Sequence, residues 1–284
     1  MKINKPLFLL LISLCLSPFA TLVAQERLVI LHTNDTHSRI EPLPPTDATA
    51  PGKGGVVRRA SYIDQVRAAE DQVLLFDAGD FFQGTPYFNL FKGEVEIKAM
   101  NLMRYDAATL GNHEFDYGLE VLAKGIRMAD FPIVSSNYDF SETPLAGMTK
   151  PYLILKKGKL RIGVIGINIQ PKGLIAEANY KGLKFLDPEE TANELAEKLR
   201  REHKCDMIVC LSHLGYQADL RLAESSRNID LILGGHSHTY LPEPVERRNR
   251  DNRPVMIFQT NGRGVYVGKI DVTLEKGKRE ERVR

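Results

Sequence analysis

Four absences narrow the field before any motif is read. Charge imbalance is almost absent: 38 lysines and arginines face 36 aspartates and glutamates, and Lys2 and Lys5 belong to a segment expected to be cleaved off. Nucleic acid, whose binding draws on a basic excess, is therefore not expected as a partner. A long hydrophobic run is also missing. The apolar stretch from Leu7 to Leu16 is far below the ~20 residues that span a bilayer, so no permanent membrane anchor is expected. Cysteine is scarce, with only Cys205 and Cys210 beyond that first segment. If Asp206 to Leu211 is a strand, five extended steps place the two ~16 Å apart, against a limit of ~7 Å between bridged Cα atoms. They read as small apolar fillers. Finally, no internal repeat, low-complexity segment or linker stands out, which for 284 residues favours one large domain with a sizeable core.

The chain opens MKINKPLFLLLISLCLSPFATLVAQ, a short basic region, an apolar run, then Pro18 and the small residues Ala20 and Ala24. This is the pattern of a secretory signal. Residues 1–24 are expected to be that signal and 25–284 the mature domain, exported to the periplasm or secreted. Cys15 does not suit a lipid anchor, because Leu14 is large where lipoprotein signals take a small residue.

Beyond it, strand-like and helix-like patterns alternate. Apolar runs at Leu28–Leu31, Val73–Phe76, Ala107–Leu110, Pro132–Ser135, Ile162–Ile167, Met207–Leu211, Ile229–Leu233, Val255–Gln259 and Val265–Val272 read as strands. Val56, Ala60, Ile63 and Val66 recur at helical spacing, as do Ile97, Met100 and Met103. In LDPEE, Asp187 caps a helix, Pro188 fits its first position and Glu190 completes a capping box. The alternation predicts an α/β fold with the sheet covered on both faces. Asn261-Gly262 suggests that the last two strands form an antiparallel pair.

The polar clusters follow these strands. Asp35 and His37 follow the first; Asp77 and Asp80 lie in DAGD after the second; TLGNHEFDYG after the third brings Asn112, His113, Glu114 and Asp116; SH brings His213; GGHSH brings His236 and His238. All sit past the C-terminal ends of strands, the edge where open α/β sheets bind ligands. Imidazoles, carboxylates and an amide without a thiolate suit divalent zinc, manganese or iron. The seven candidates Asp35, His37, Asp80, Asn112, His213, His236 and His238 exceed one tetrahedral site, which takes about three protein ligands plus water. Two metals are implied, and a bridging carboxylate would hold them ~3.5–4 Å apart, the spacing that clamps both oxygens of a displacement at phosphorus.

DTH at 35–37, GD at 79–80, GNHEFD at 111–116, SH at 212–213 and GHSH at 235–238, in that order, resemble the calcineurin-like metallophosphoesterases. The wording HTNDTH, GNHEFDYG and GGHSH is similar to the amino-terminal domain of the bacterial 5′-nucleotidase and UDP-sugar hydrolase family, from about Leu28 to Leu274. The resemblance implies a four-layer α/β/β/α sandwich. It implies one metal held by Asp35, His37, Asp80 and His238, and a second by Asp80, Asn112, His213 and His236, with Asp80 as the bridge. It implies catalysis by His113 with Asp116 as its partner, and substrate binding by Asn112 and His113. Independently, positions i and i+3 meet on one face of a helical turn, so Asp116 can orient His113; Gly111 and Gly118 would give that turn its backbone freedom. The chemistry implied is metal-assisted hydrolysis of a phosphate ester, a nucleotide by analogy, with no covalent enzyme intermediate.

Other residues take plainer readings. Asn34, Asp77 and Asn137 read as turn formers or caps, Glu114 as a solvated or outer group, His32 as structural, and His203 as a helix-end cation. RIGVIGIN lacks the helix start and third glycine of a dinucleotide site. The closing EKGKREERVR reads as a solvated tail. The family's nucleotidases carry a carboxy-terminal domain with phosphate-binding arginines and base-stacking aromatics, and the 284 residues are expected to lack it. Two alternatives follow: a metal-binding subunit acting with a separate chain that resembles that domain, or another phosphoesterase, for cyclic nucleotides or sugar phosphates.

Overall fold

The computed structural model describes residues 25–275 and 278–283; the expected signal at 1–24 lies outside the described residues. Strands β1 (Gln25–Thr33), β2 (Val73–Asp77) and β3 (Ala107–Ala108) run parallel to one another. Strand β4 (Tyr138–Asp139) pairs only with the distant β7 (Lys184–Phe185) in a small separate ladder. A second sheet takes β5 (Leu153–Lys157), β6 (Leu160–Asn168), β8 (Met207–His213), β9 (Leu231–Gly234), β10 (Val245–Arg248) and β11 (Pro254–Phe258), in the order β10-β11-β9-β8-β6-β5. Strands β12 (Gly268–Glu275) and β13 (Lys278–Val283) complete the first sheet, in the order β13-β12-β1-β2-β3.

Side-chain alternation builds the layers. Along β1, Leu28 and Ile30 face a core shared with Val164, Val209, Leu211 and Leu233 of the other sheet. Their neighbours Val29 and Leu31 face the opposite way, against Ile63 and Val66 of α1 (Val56–Ala69), Phe88 of α2 (Pro86–Phe91), Ile97 and Met100 of α3 (Glu94–Leu102) and Leu122 of α4 (Gly118–Met128). In the second sheet Ile165, Ile208 and Ile232 pack against Ala192, Ala196 and Leu199 of α5 (Pro188–Arg201) and Leu222 of α6 (Tyr216–Ser225). Strands buried on both faces need apolar residues at both parities, which is why these runs are continuous rather than alternating. The result is the expected α/β/β/α sandwich. At the start of α5 the Asp187 carboxylate accepts from the Glu190 amide at 2.8 Å with Pro188 in the first turn, as the sequence predicts.

Three expectations fail. β11 and β12 are not an antiparallel pair: β11 lies between β9 and β10, while β12 pairs with β1, so residues 259–267 carry the chain from one sheet to the other. Asn261 and Gly262 serve that crossing, with Asn261 at φ 66°. The stretch Pro132–Ser135 is reduced to isolated bridges, Ala108 with Ile133 and Val134 with Lys150, because its partners change along it: the Val134 amide donates to Ala108, that of Ser135 to Lys150 and that of Ser136 to Gly166. The charged tail is a strand: Lys278–Val283 pairs with β12 at the edge of the first sheet, a position that tolerates a charged sequence. Both Cys205 and Cys210 are free and buried, as expected. Among the described residues no helix is long and apolar enough to cross a membrane.

Candidate active site

Five parallel strands, drawn from both sheets, end at one crevice. β1 leads into Asp35 and His37, β2 into Asp80, β3 into Asn112 and His113, β8 ends on His213, and β9 leads into His236 and His238. Backbone bonds lace the loops together: the Asp35 amide donates to Gly79, the His37 amide to Asp80 and the Arg263 amide to Asp35, at 2.9, 3.0 and 2.6 Å. Asp35, His37, Asp80, His236 and His238 all take left-handed backbone, φ 48–70°. Non-glycine residues rarely do so, at a cost of roughly 1–3 kcal/mol each. Nine further non-glycine residues among those described share this conformation, so it is the clustering of five at one crevice that sets the site apart.

The side chains form two adjoining groups, Asp35–His37–His238 and Asp80–His213–His236, with the ligand atoms in each within 4.8 Å of one another. Asp35 joins them: its Oδ1 lies 3.5 Å from His238 Nε2 and 4.0 Å from the Nε2 atoms of both His37 and His213. Asn112 Oδ1 lies 3.0 Å from His236 Nδ1, and the Nε2 atoms of His37 and His238 are 2.9 Å apart.

The decisive detail is at His213, which is fully buried. Its Nδ1 donates to the Ala78 carbonyl at 2.7 Å, so in the neutral ring Nε2 carries the lone pair. That nitrogen faces Asp80 Oδ2 at 3.1 Å. An imidazole lone pair and a carboxylate facing each other at that distance share either a proton or a metal ion, and neighbours that fix the other ring nitrogen are what metal-binding histidines have. Given only protons, His213 takes one: burial opposes its charge, but Asp80 more than offsets this and pushes its pKa up to about 10. The donors therefore fit divalent ions in both groups.

The sequence profile of the calcineurin-like phosphoesterases matches residues 28–240. The chain belongs to this family. It is 37% identical over 273 residues to a snake venom 5′-nucleotidase of Naja atra, covering 88% of this chain and 51% of that protein. It superposes on a 5′-nucleotidase precursor of Thermus thermophilus with a TM-score of 0.80 at 35% identity, over 91% of this chain and 54% of the other. On the NAD nucleotidase of Haemophilus influenzae the TM-score is 0.82 at 30% identity, over 92% and 49%. The chain spans about half the length of each of these relatives.

At the rim of this phosphoesterase's crevice, His113 and Asp116 sit at either end of a single 3₁₀ turn, His113–Phe115, and His113 Nδ1 lies 2.9 Å from Asp116 Oδ2. That bond, with Asp80 adding to it and partial burial opposing it, raises the His113 pKa to about 8. Both side chains are one-third exposed, and the His113 ring lies edge-on to His37 with centroids 5.3 Å apart. All nine residues singled out in the sequence thus converge on one crevice.

Of the two readings of Glu114, the outer group holds and the solvated one does not. The residue is 2% exposed, and its carboxyl group accepts from the amides of Asp80, Phe82 and Gly111 at 2.9, 3.0 and 2.6 Å. It clamps the Asp80 loop onto the turn that carries Asn112 and His113. Burial, with the Asp80 charge beside it, pushes its pKa up, while the amides it accepts oppose that rise. Asn34 is also more than a turn former, since its amide donates to Asp35 Oδ2 at 2.6 Å and its oxygen accepts from Thr260. Asp77 and Asn137 are buried clamps, to Thr33 and Gly79 and to Asn168 respectively. Gly118 has the freedom expected of it, φ 78°, but Gly111 does not use a left-handed backbone; a Cβ there would collide with Asp80 and His213. His32 is buried edge-on to Phe258, and His203 meets the Tyr152 hydroxyl, so both are structural.

Proposed function

We propose that this chain hydrolyses phosphate esters, 5′-nucleotides among them, at a centre of two divalent ions. The observation that carries the reading is the buried His213 Nε2 aimed at Asp80 Oδ2, 3.1 Å away, in a cluster where Asp35 lies between two groups of ligands. Asp35, His37, Asp80 and His238 would hold one ion, and Asp80, Asn112, His213 and His236 the other. When bound, such ions neutralise charge on phosphoryl oxygens and make water a nucleophile near neutral pH. The chain's own residues supply the rest. Asp116 holds the proton on His113 Nδ1 and keeps the ring charged near neutrality, so that His113 can stabilise or protonate the oxygens of the ester. The Asn112 amide, next to His113, orients the phosphoryl group. Glu114 keeps Asp80 and His113 in fixed relation.

Nucleotides are favoured because the relatives are named for acting on them. Those relatives are about twice as long, and a separate chain resembling the rest of them would supply further base recognition. Export to the periplasm or medium belongs to the same proposal and rests on residues 1–24 of the sequence. The test is turnover by the purified chain, with manganese or zinc added, over a panel of nucleoside monophosphates, cyclic nucleotides, sugar phosphates and an aryl phosphate. Hydrolysis of the 5′-monophosphates and the aryl ester is expected; turnover of cyclic nucleotides alone would overturn the substrate reading.

A further inference from the structure

A cavity of about 370 Å³ lies between the start of α1 and the segment that crosses from β11 to β12. That volume is within the range of small-molecule sites, and none of the seven ligand residues lines it. Lys53, Arg58 and Arg59 do, with Tyr62, Gly264 and Tyr266 among the others, and no carboxylate lines it.

Arg59 is the unexplained group. It is 7% exposed, and neither its Nε nor its Nη1 finds an acceptor among the described residues. Asp77 feels its charge, yet neither of these nitrogens donates to it. A buried guanidinium without a hydrogen-bonded counter-charge is costly, and proteins keep one where something else supplies the partner. The start of α1 points the same way. This helix of 14 residues has Gly55 as its N-cap, no side-chain cap and no acidic residue in its first turn; the Val56 amide donates to the Ile40 carbonyl at 2.8 Å, and the amides that follow it leave positive potential at this end. Lys53 and Arg58 stand exposed at the rim. The remaining walls are flat and apolar: Tyr62 and Tyr266 are each 37% exposed, and stacking on Tyr240 at 4.6 Å fixes the Tyr266 ring.

We propose that this cavity is a binding site for a small organic phosphate, separate from the dinuclear centre. The phosphate dianion would meet Arg59 and the first turn of α1, with Lys53 and Arg58 adding charge at the mouth, and an apolar ring would lie against Tyr62 and Tyr266. A doubly charged group suits three cations and a helix start better than a single carboxylate does.

The probe is phenylphosphonate, whose carbon–phosphorus bond leaves no ester to hydrolyse. Calorimetric titration of the metal-loaded chain should show two binding events. Lys53→Ala/Arg58→Ala should weaken one of them about tenfold or more and leave turnover of a saturating aryl phosphate within about twofold of the parent. Arg59→Met should abolish that event and spare the other. Inorganic phosphate, lacking a ring, should bind the same site about tenfold more weakly than phenylphosphonate. A single event in the parent, unchanged in Lys53→Ala/Arg58→Ala, would overturn the site, and the double variant decides the matter even if Arg59→Met does not fold. Equal affinity for the two probes would overturn the role given to the tyrosines.

Discussion

Glu114→Ala removes one carboxyl group that satisfies three buried amides. Oε2 takes the amides of Asp80 and Gly111, and Oε1 takes that of Phe82. A buried donor left unsatisfied costs about 1–3 kcal/mol, so three of them set a ceiling of roughly 3–9 kcal/mol; water entering the space would recover part, and a loss near 3 kcal/mol is expected. Glu114→Gln should do much less damage. Turned so that its carbonyl takes the place of Oε2, the amide keeps two of the three bonds and forfeits only that to Phe82, about 1–3 kcal/mol. Urea unfolding, followed by circular dichroism, measures both variants at constant m-value. Because the clamp fixes Asp80 against His113, Glu114→Ala should also lower kcat and metal affinity together, with Glu114→Gln intermediate in each. If Glu114→Ala unfolds within about 0.5 kcal/mol of the parent, the range of ordinary surface changes, the three bonds do not act as a clamp and the reasoning fails.

His113→Ala should lower kcat by ~10²–10⁴ while elemental analysis finds metal content near that of the parent; loss of metal in proportion to rate would make His113 a ligand instead. Asp116→Asn tests the dyad through pH. Hydrolysis that needs protonated His113 falls as pH rises through its pKa, about 8 in the parent; without the Asp116 bond that fall should move toward the ordinary value of 6.5, and an unmoved alkaline limb in the pH profile of kcat/KM would refute the role given to Asp116. Among substrates, kcat/KM for adenosine, guanosine and uridine 5′-monophosphates should lie within about tenfold of one another, a spread of ~1.4 kcal/mol. Stacking a base is worth ~1–3 kcal/mol, so a strong preference for one base would reveal a recognition surface within this chain.

The sandwich and the crevice were legible because both follow from local patterns. A strand buried on two faces is continuously apolar, and the residues just past its end are fixed in place by the strand itself; hence Asp35, Asp80, His213 and His238 could be read without coordinates. The i, i+3 spacing of His113 and Asp116 likewise holds in any helical turn, 3₁₀ included. What the sequence hid depends on contacts between distant segments. Glu114, between two residues singled out for catalysis, has no local mark that distinguishes a solvated carboxylate from one aimed at the amides of Asp80 and Phe82. The crossing at 259–267 looks like a hairpin because Asn-Gly favours tight turns, yet its flanking strands pair with β9 and β1, one in each sheet. Charge in the tail suggested solvation, but a sheet edge accepts charge. The partnerless Arg59 and its cavity arise only when the start of α1 meets residues 264–267, about two hundred positions further along.

The crevice is assigned a centre of two divalent ions. Its most direct test is a titration of manganese into chelator-stripped protein, with hydrolysis of an aryl phosphate as the readout. The stripped chain should show no turnover, and the rate should rise to saturation at about two ions per chain. Full activity in the stripped protein, or saturation at a single ion, would contradict the assignment.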